Sequence, residues 1–114
     1  MQHRHLHSCP DADLVRASLE SQPMAFEILV SRHRIEACAI ARAMGIRSAG
    51  IENIIKEASL RSLERLSELR ESASFGPWFL EFVRSVARSR IEQSRSGGVP
   101  WTFDRGWYEE DIKW

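Results

Sequence analysis

Near its start the chain carries His3, His5, His7 and Cys9, alternating with other residues so that an extended strand would place all four on one side. Imidazole and thiolate are good zinc ligands, so a metal clip is the sharpest chemistry this spacing offers. Structural zinc sites, however, usually draw their ligands from two separated pairs, and a short terminal arm has no second layer of groups to orient the rings. Residues 1–10 are therefore read as a disordered arm, with no metal and no other cofactor assigned. His33 lies on the apolar side of a helical pattern with no partner nearby in sequence, and reads as a partly buried or edge aromatic rather than a ligand. No Ser-His-Asp set, paired carboxylates or phosphate-cradling glycines appear elsewhere, so an enzyme is not expected.

The elements that would position any other chemistry are helical. Trp78, Phe79, Phe82, Val83, Val86 and Ala87 recur at the three- and four-residue spacing of one helix face, with Arg84, Arg88 and Arg95 toward the other side. Ser74 reads as the N-cap, Pro77 falls in the first turn, where its missing donor has no helical partner, and Gly97-Gly98 supplies the stop. The plain reading of this stretch is an amphipathic helix burying its aromatics in a bundle.

Three further helices are expected upstream. From Asp11 the chain has acids in the first turn and Leu14, Val15 and Leu19 on one face. Pro23 opens a second helix, in which Phe26, Leu29, Val30, His33, Ala37, Ile40, Ala41 and Met44 hold the helical period until Gly45 closes it. Ser48 caps a third, which carries Ile51, Ile54, Ile55, Ala58, Leu63 and Leu66 toward a core and Glu52, Lys56, Glu57, Arg61, Glu64, Arg65 and Glu68 largely elsewhere. Glu57 to Arg61 supports that helix and Glu64 to Glu68 opposes it, each pair being four apart. The fold class is all-α: a bundle of about four helices over residues 11–96, between the arm 1–10 and a tail or linker 97–114.

The 114 residues, 43% hydrophobic, give room for one domain with a modest core. There is no run of eighteen apolar residues and no secretory segment in the first ten, so a soluble, cytoplasmic protein without membrane contact is expected. Cys9 in a polar arm and Cys38 in a helical pattern read as free, reduced thiols. Sixteen basic and sixteen acidic side chains cancel, so the molecule has no overall field to draw it onto a polyanion, and any nucleic-acid contact must be local. Fourteen of the bases are Arg, a bias that suits bidentate phosphate contacts and equally fits a GC-rich coding sequence.

Phe75, Trp78, Phe79, Phe82, Val83, Arg84 and Ser85 resemble the Phe-x-x-Trp-Leu-x-x-Ile-Ala-Arg-Asn signature of region 2 of sigma-70 family factors, in the extracytoplasmic-function subgroup. Asp13-Leu-Val and Met24-Ala-Phe-Glu-Ile-Leu-Val-Ser-Arg-His are similar to the blocks that begin that region, and Leu69-Arg-Glu-Ser-Ala-Ser-Phe is similar to its Phe-Arg-x-Glu-Ser-Ser-Phe loop. The resemblance spans roughly Asp11 to Arg95 and lacks a following helix-turn-helix domain. It implies that the third helix binds the clamp helices of the RNA polymerase β′ subunit through Glu52, Asn53, Lys56 and Glu57. Asn53 stands where the family has an acid and Lys56 where it has a neutral amide, which moves this surface toward positive charge.

The same resemblance implies that the loop and last helix trap a base extruded from the non-template strand of the minus-ten promoter element. An unstacked base needs small polar donors and an aromatic wall, and Ser72, Ser74, Phe75 and Trp78 are of those types, although Trp78 is expected to be mainly core. Arg70, Arg84, Ser85 and Arg88 complete the implied DNA-binding set, with Arg90 and Arg95 as further phosphate contacts. Glu81 stands where the family often has a base and would oppose phosphate unless it pairs with Arg84 or Arg88, and Ser85 replaces an Asn. The partners implied are core RNA polymerase, promoter DNA and an anti-sigma factor. The other reading is a degenerate interaction domain, an adaptor or decoy without promoter melting.

Residues 99–114 hold three of the four tryptophans and the acidic run Glu109-Glu110-Asp111. Two readings stand: Trp101, Phe103 and Trp107 dock on the bundle, or the segment imitates single-stranded nucleic acid and covers the Phe75 to Arg88 surface.

Overall fold

A computed structural model describes residues 7–69 and 74–95, and among these residues there are five α-helices, one 3₁₀ turn and no strand. The helices are α1 (Asp11–Leu19), α2 (Pro23–Arg32), α3 (Arg34–Ala43), α4 (Ser48–Glu64) and α5 (Phe75–Arg95), with the 3₁₀ turn Leu66–Glu68 after α4. They form an all-α bundle in which α1 packs on α2, α4 packs on α5, and α3 lies against both α4 and α5.

Local chemistry explains most of the boundaries. α1 starts behind the extended Pro10 with Asp11 and Asp13 in its first turn, where carboxylates favour the helix dipole. It ends in a Schellman motif: Ser21 takes the left-handed conformation (φ 70°), its N–H donates to the Ser18 carbonyl, and the Gln22 N–H donates to the Ala17 carbonyl, both at 3.1 Å. α3 ends in the same motif with Gly45 at φ 101°, where the Gly45 N–H reaches Arg42 and the Ile46 N–H reaches Ala41, both at 3.0 Å. Ile46, the residue after that turn, is buried, at the position where an apolar side chain frequently accompanies the motif.

The expected single helix from Pro23 to Met44 is two helices. At His33 the backbone leaves helical geometry (φ −109°, ψ 12°), so His33 both ends α2 and precedes α3. The apolar period runs through the break because Leu29 and Ala37, on either side of it, both face the core. Ser48 is the first residue of α4 rather than its cap, which is Arg47, and the Arg47 side chain makes no capping hydrogen bond.

The core consists of Leu14, Val15, Ala25, Phe26, Ile28, Leu29, Ile51, Ile54, Ile55, Phe75, Phe79, Val83 and their buried neighbours. Phe75 and Phe79 stack at 5.6 Å with their planes 10° apart, and Phe26 meets Phe75 edge-on at 6.0 Å. Full burial of each such ring contributes about 1.5–3 kcal/mol. Two positions expected inside are outside. Leu19, at the last residue of α1, is exposed, and Leu63 is exposed while Ser62 is buried. Ser62 continues the core face of α4 four residues after Ala58, and its hydroxyl is satisfied by donating to the Ser59 carbonyl at 3.0 Å. Leu66 is buried, but from the 3₁₀ turn. Since α4 stops at Glu64, Glu64 and Glu68 never face each other as a helical pair; Glu68 instead lies 3.8 Å from Arg65.

Candidate functional site

α4 turns Ile51, Ile54, Ile55, Ala58 and Ser62 inward, which leaves positions 52, 53, 56, 60 and 63 on its outer face. Glu52, Asn53 and Lys56 are all exposed there. With Val30, Arg34, Ser59 and Leu60 they line a hollow of about 540 Å³ between α2, the start of α3 and α4. The guanidinium of Arg34 is paired with the carboxylate of Glu52, so an acid on α4 is fixed to the neighbouring helix. Lys56 has no ion pair among the described residues and carries the free positive charge of this wall.

Glu57, grouped with those three in sequence, faces elsewhere. It sits on the flank of α4 beside α5, accepting from Arg61 Nε at 2.8 Å and lying 3.9 Å from the guanidinium of Arg90. Arg90 is buried. Burial pulls its guanidinium below its ordinary pKa, the Glu57 charge pushes it back up, and Arg61 adds to the lowering. Arg90 is therefore an inward residue that joins α5 to α4, not a phosphate contact. It occupies the same face of α5 as Val83, Val86 and Ala87.

The second candidate surface begins where α5 starts. Arg70 and Ser72 lie outside the described residues. Ser74 is half-buried just before the helix. Phe75 is wholly buried, enclosed by Phe26, His33, Trp78 and Phe79, so it belongs to the core and not to an accessible wall. Its neighbour Trp78 is half-buried and meets Phe82 edge-on at 4.9 Å, which makes these two rings the shoulder between the core and the polar side of α5. Along that side run Glu81, Arg84, Ser85 and Arg88, with Ser85 and Arg88 exposed. Arg84 Nη1 donates to Glu81 Oε2 at 2.7 Å, the neutralising pair that the sequence left open.

Two features were not found from the sequence. One is a cluster at the α2–α3 break, where His33 meets Asp11 and Glu36 and its ring lies beneath Gly76 of α5. The His33 and Asp11 partners are twenty-two residues apart, so no local signal marks them. The other is an apolar hollow of about 510 Å³ between the α1–α2 turn and α4, lined by Pro23, Phe26, Leu60 and Leu63 among others. The pair Leu60 and Leu63, three apart on the charged side of α4, was the available signal. Among the described residues no group of three or more His, Cys, Asp or Glu is placed to hold a metal ion, and no helix is long and apolar enough to cross a membrane. His3 and His5 of the alternating arm lie outside the described residues, as does the tail 97–114.

Comparison with known proteins gives a likeness over 71 residues, 62% of this chain, which are 35% identical to a probable RNA polymerase sigma factor, RfaY, from Xanthomonas campestris pv. campestris. The matched stretch is 18% of that protein, so the chain spans less than a fifth of the relative's length. No family model and no solved structure matches the chain.

Proposed function

We propose that this chain is a cytoplasmic, non-catalytic transcription-initiation module of the sigma region 2 kind. The outer face of α4, with Glu52, Asn53 and Lys56, contacts the β′ subunit of core RNA polymerase. The segment from Arg70 to Arg88 contacts the non-template strand of a minus-ten promoter element. The likeness to a probable RNA polymerase sigma factor carries this reading. The exposure of Glu52, Asn53 and Lys56 together on one wall supports the first contact, because a docking surface must be open before it can be used. The shoulder formed by Trp78 and Phe82 beside Ser85 and Arg88 supports the second, since an unpaired base needs an aromatic face next to a phosphate-binding side chain. Immobilised chain should capture purified core polymerase, and Glu52→Lys with Asn53→Arg should abolish capture. No capture by the unaltered chain would overturn the reading.

The second reading, an interaction domain that has lost promoter melting and acts as an adaptor or as a decoy for polymerase or an anti-sigma factor, is favoured by a specific observation. Phe75 is sealed in the core, Arg84 is engaged by Glu81 and Arg90 faces inward, so three of the groups proposed for DNA are otherwise occupied. Polymerase capture without binding to single-stranded minus-ten DNA would select it.

A further inference from the structure

We infer that the apolar hollow between the α1–α2 turn and α4 is the docking site for the chain's own segment 97–114. The hollow exists because α4 presents Leu60 and Leu63 outward, 53% and 45% exposed, opposite Pro23 and Phe26. Its volume of about 510 Å³ lies within the range of pockets that take drug-sized apolar groups, roughly 300–1,000 Å³.

The segment has the matching chemistry. Trp101, Phe103, Trp107, Tyr108 and Trp114 are half of the aromatic residues in the whole chain. Reach is not limiting: the twelve residues from Arg95 to Trp107 extend to about 40 Å, against roughly 25 Å for the full length of α4. Arg90 beside Glu57 already places the last part of α5 against α4. Charge agrees as well. Ser59 and Leu60 line both hollows, so the apolar one, with Glu27 at its lining, adjoins the one lined by Arg34, Glu52 and Lys56. There Arg34 and Glu52 pair with each other, and Lys56 is left for the carboxylates of Glu109, Glu110 and Asp111 to meet. The Phe75 to Arg88 surface is the poorer seat, since Phe75 is enclosed and Arg84 is neutralised by Glu81.

Docking would abut the Glu52, Asn53 and Lys56 wall and shield it. That consequence alone rests on the function proposed above.

The test uses tryptophan emission. In the full chain carrying Trp78→Phe, every remaining indole lies in 97–114. Their emission should be blue-shifted and several-fold less quenched by acrylamide than a free indole. Leu60→Asp with Leu63→Asp should return both to free values, while Arg88→Glu should not. Emission like that of a free indole, or emission indifferent to the two aspartates, would overturn the inference. A blue shift that fades on dilution would also overturn it, because the occupant would then be a second copy's segment. If Trp78→Phe loses helical circular dichroism, the same comparison holds in the Trp78 chain, where three of four indoles report the segment. Polymerase capture is read separately: protected indoles with capture unchanged on cutting after Ser96 would keep the docking and remove its link to polymerase.

Discussion

His33 Nε2 donates to Asp11 Oδ2 at 2.9 Å, tying the break between α2 and α3 to the first turn of α1. Arg32 Nη1 donates to the other oxygen of the same carboxylate at 2.9 Å, so one acid anchors two successive residues at the end of α2. The imidazole then serves as a floor for α5, with Phe75 at 5.8 Å and Gly76 directly above it.

Acid should loosen this junction. Partial burial raises the Asp11 pKa, but hydrogen bonds and charge from His33 and Arg32 outweigh burial and hold it below the ordinary aspartate value. A carboxyl depressed in the folded state stabilises the fold above its unfolded pKa, and that contribution is lost as pH falls through the folded one. Urea midpoints of the unaltered chain should therefore decline below about pH 4. Asp11→Asn should be less stable at neutral pH and should decline less over the same interval. Parallel curves for the two chains would count against the anchor.

Gly76 is constrained by what lies under it. A Cβ there would stand 2.7 Å from His33 Cε1 and 3.1 Å from Nδ1, and the ring cannot swing away freely while Asp11 holds Nε2. Gly76→Ala should therefore lose roughly 1–3 kcal/mol to overpacking, despite the usual helical gain of about 1 kcal/mol for alanine over glycine. In a His33→Ala background the same change should be neutral or stabilising. The double-mutant cycle measured by chemical unfolding reads the coupling directly.

These relations show where sequence reasoning reaches and where it stops. The helical class, the starts at Asp11 and Pro23, the stop at Gly45 and the inward face of α5 were legible, because each follows from neighbours within a turn or two. The break at His33 was not, since the groups its ring meets there, a carboxylate on α1 and a glycine on α5, are both remote in sequence. Leu63 faces outward because helical phase, not residue type, decides which side chains of α4 reach the core. Ser62 holds the core position, and a hydroxyl bonded within its own helix turn is inexpensive to bury. For the candidate sites, the helical period placed Glu52 and Lys56 off the core face of α4, and only the family resemblance made that face a candidate. They could not show that Glu57 turns toward α5 or that Phe75 is enclosed, because helix packing decides both.

The two Schellman turns differ in the residue that takes the left-handed conformation, and that difference can be removed. Ser21 adopts φ 70° where the equivalent position after α3 is Gly45. A side chain in the left-handed region costs roughly 1–2 kcal/mol, partly offset by the extra freedom glycine adds to the unfolded chain, about 0.4–1 kcal/mol. Ser21→Gly should raise stability by about 0.5–1 kcal/mol. Differential scanning calorimetry should show a Tm increase of a few degrees, and a decrease would mean that the serine side chain has an unrecognised role.

Lys56 and Glu57 are adjacent in sequence and should separate cleanly in experiment. Lys56 is exposed on the outer wall of α4 with no ion pair among the described residues, so its removal costs the fold little. Glu57 faces the buried guanidinium of Arg90 and accepts from Arg61, so its neutralisation leaves an inward positive charge with less compensation. Glu57 remains partly open to solvent and stands 3.9 Å from Arg90, which places the loss at about 1 kcal/mol, well under that of a fully buried pair. Glu57→Gln should therefore lower the urea midpoint and leave capture of core polymerase, measured well below the unfolding transition, nearly unchanged. Lys56→Gln should leave the midpoint unchanged and strengthen capture, because it removes a positive charge from a face proposed to meet the basic side chains of the clamp. The reverse pattern, with Glu57 governing capture and Lys56 governing stability, would move the docking surface to the flank of α4 beside α5.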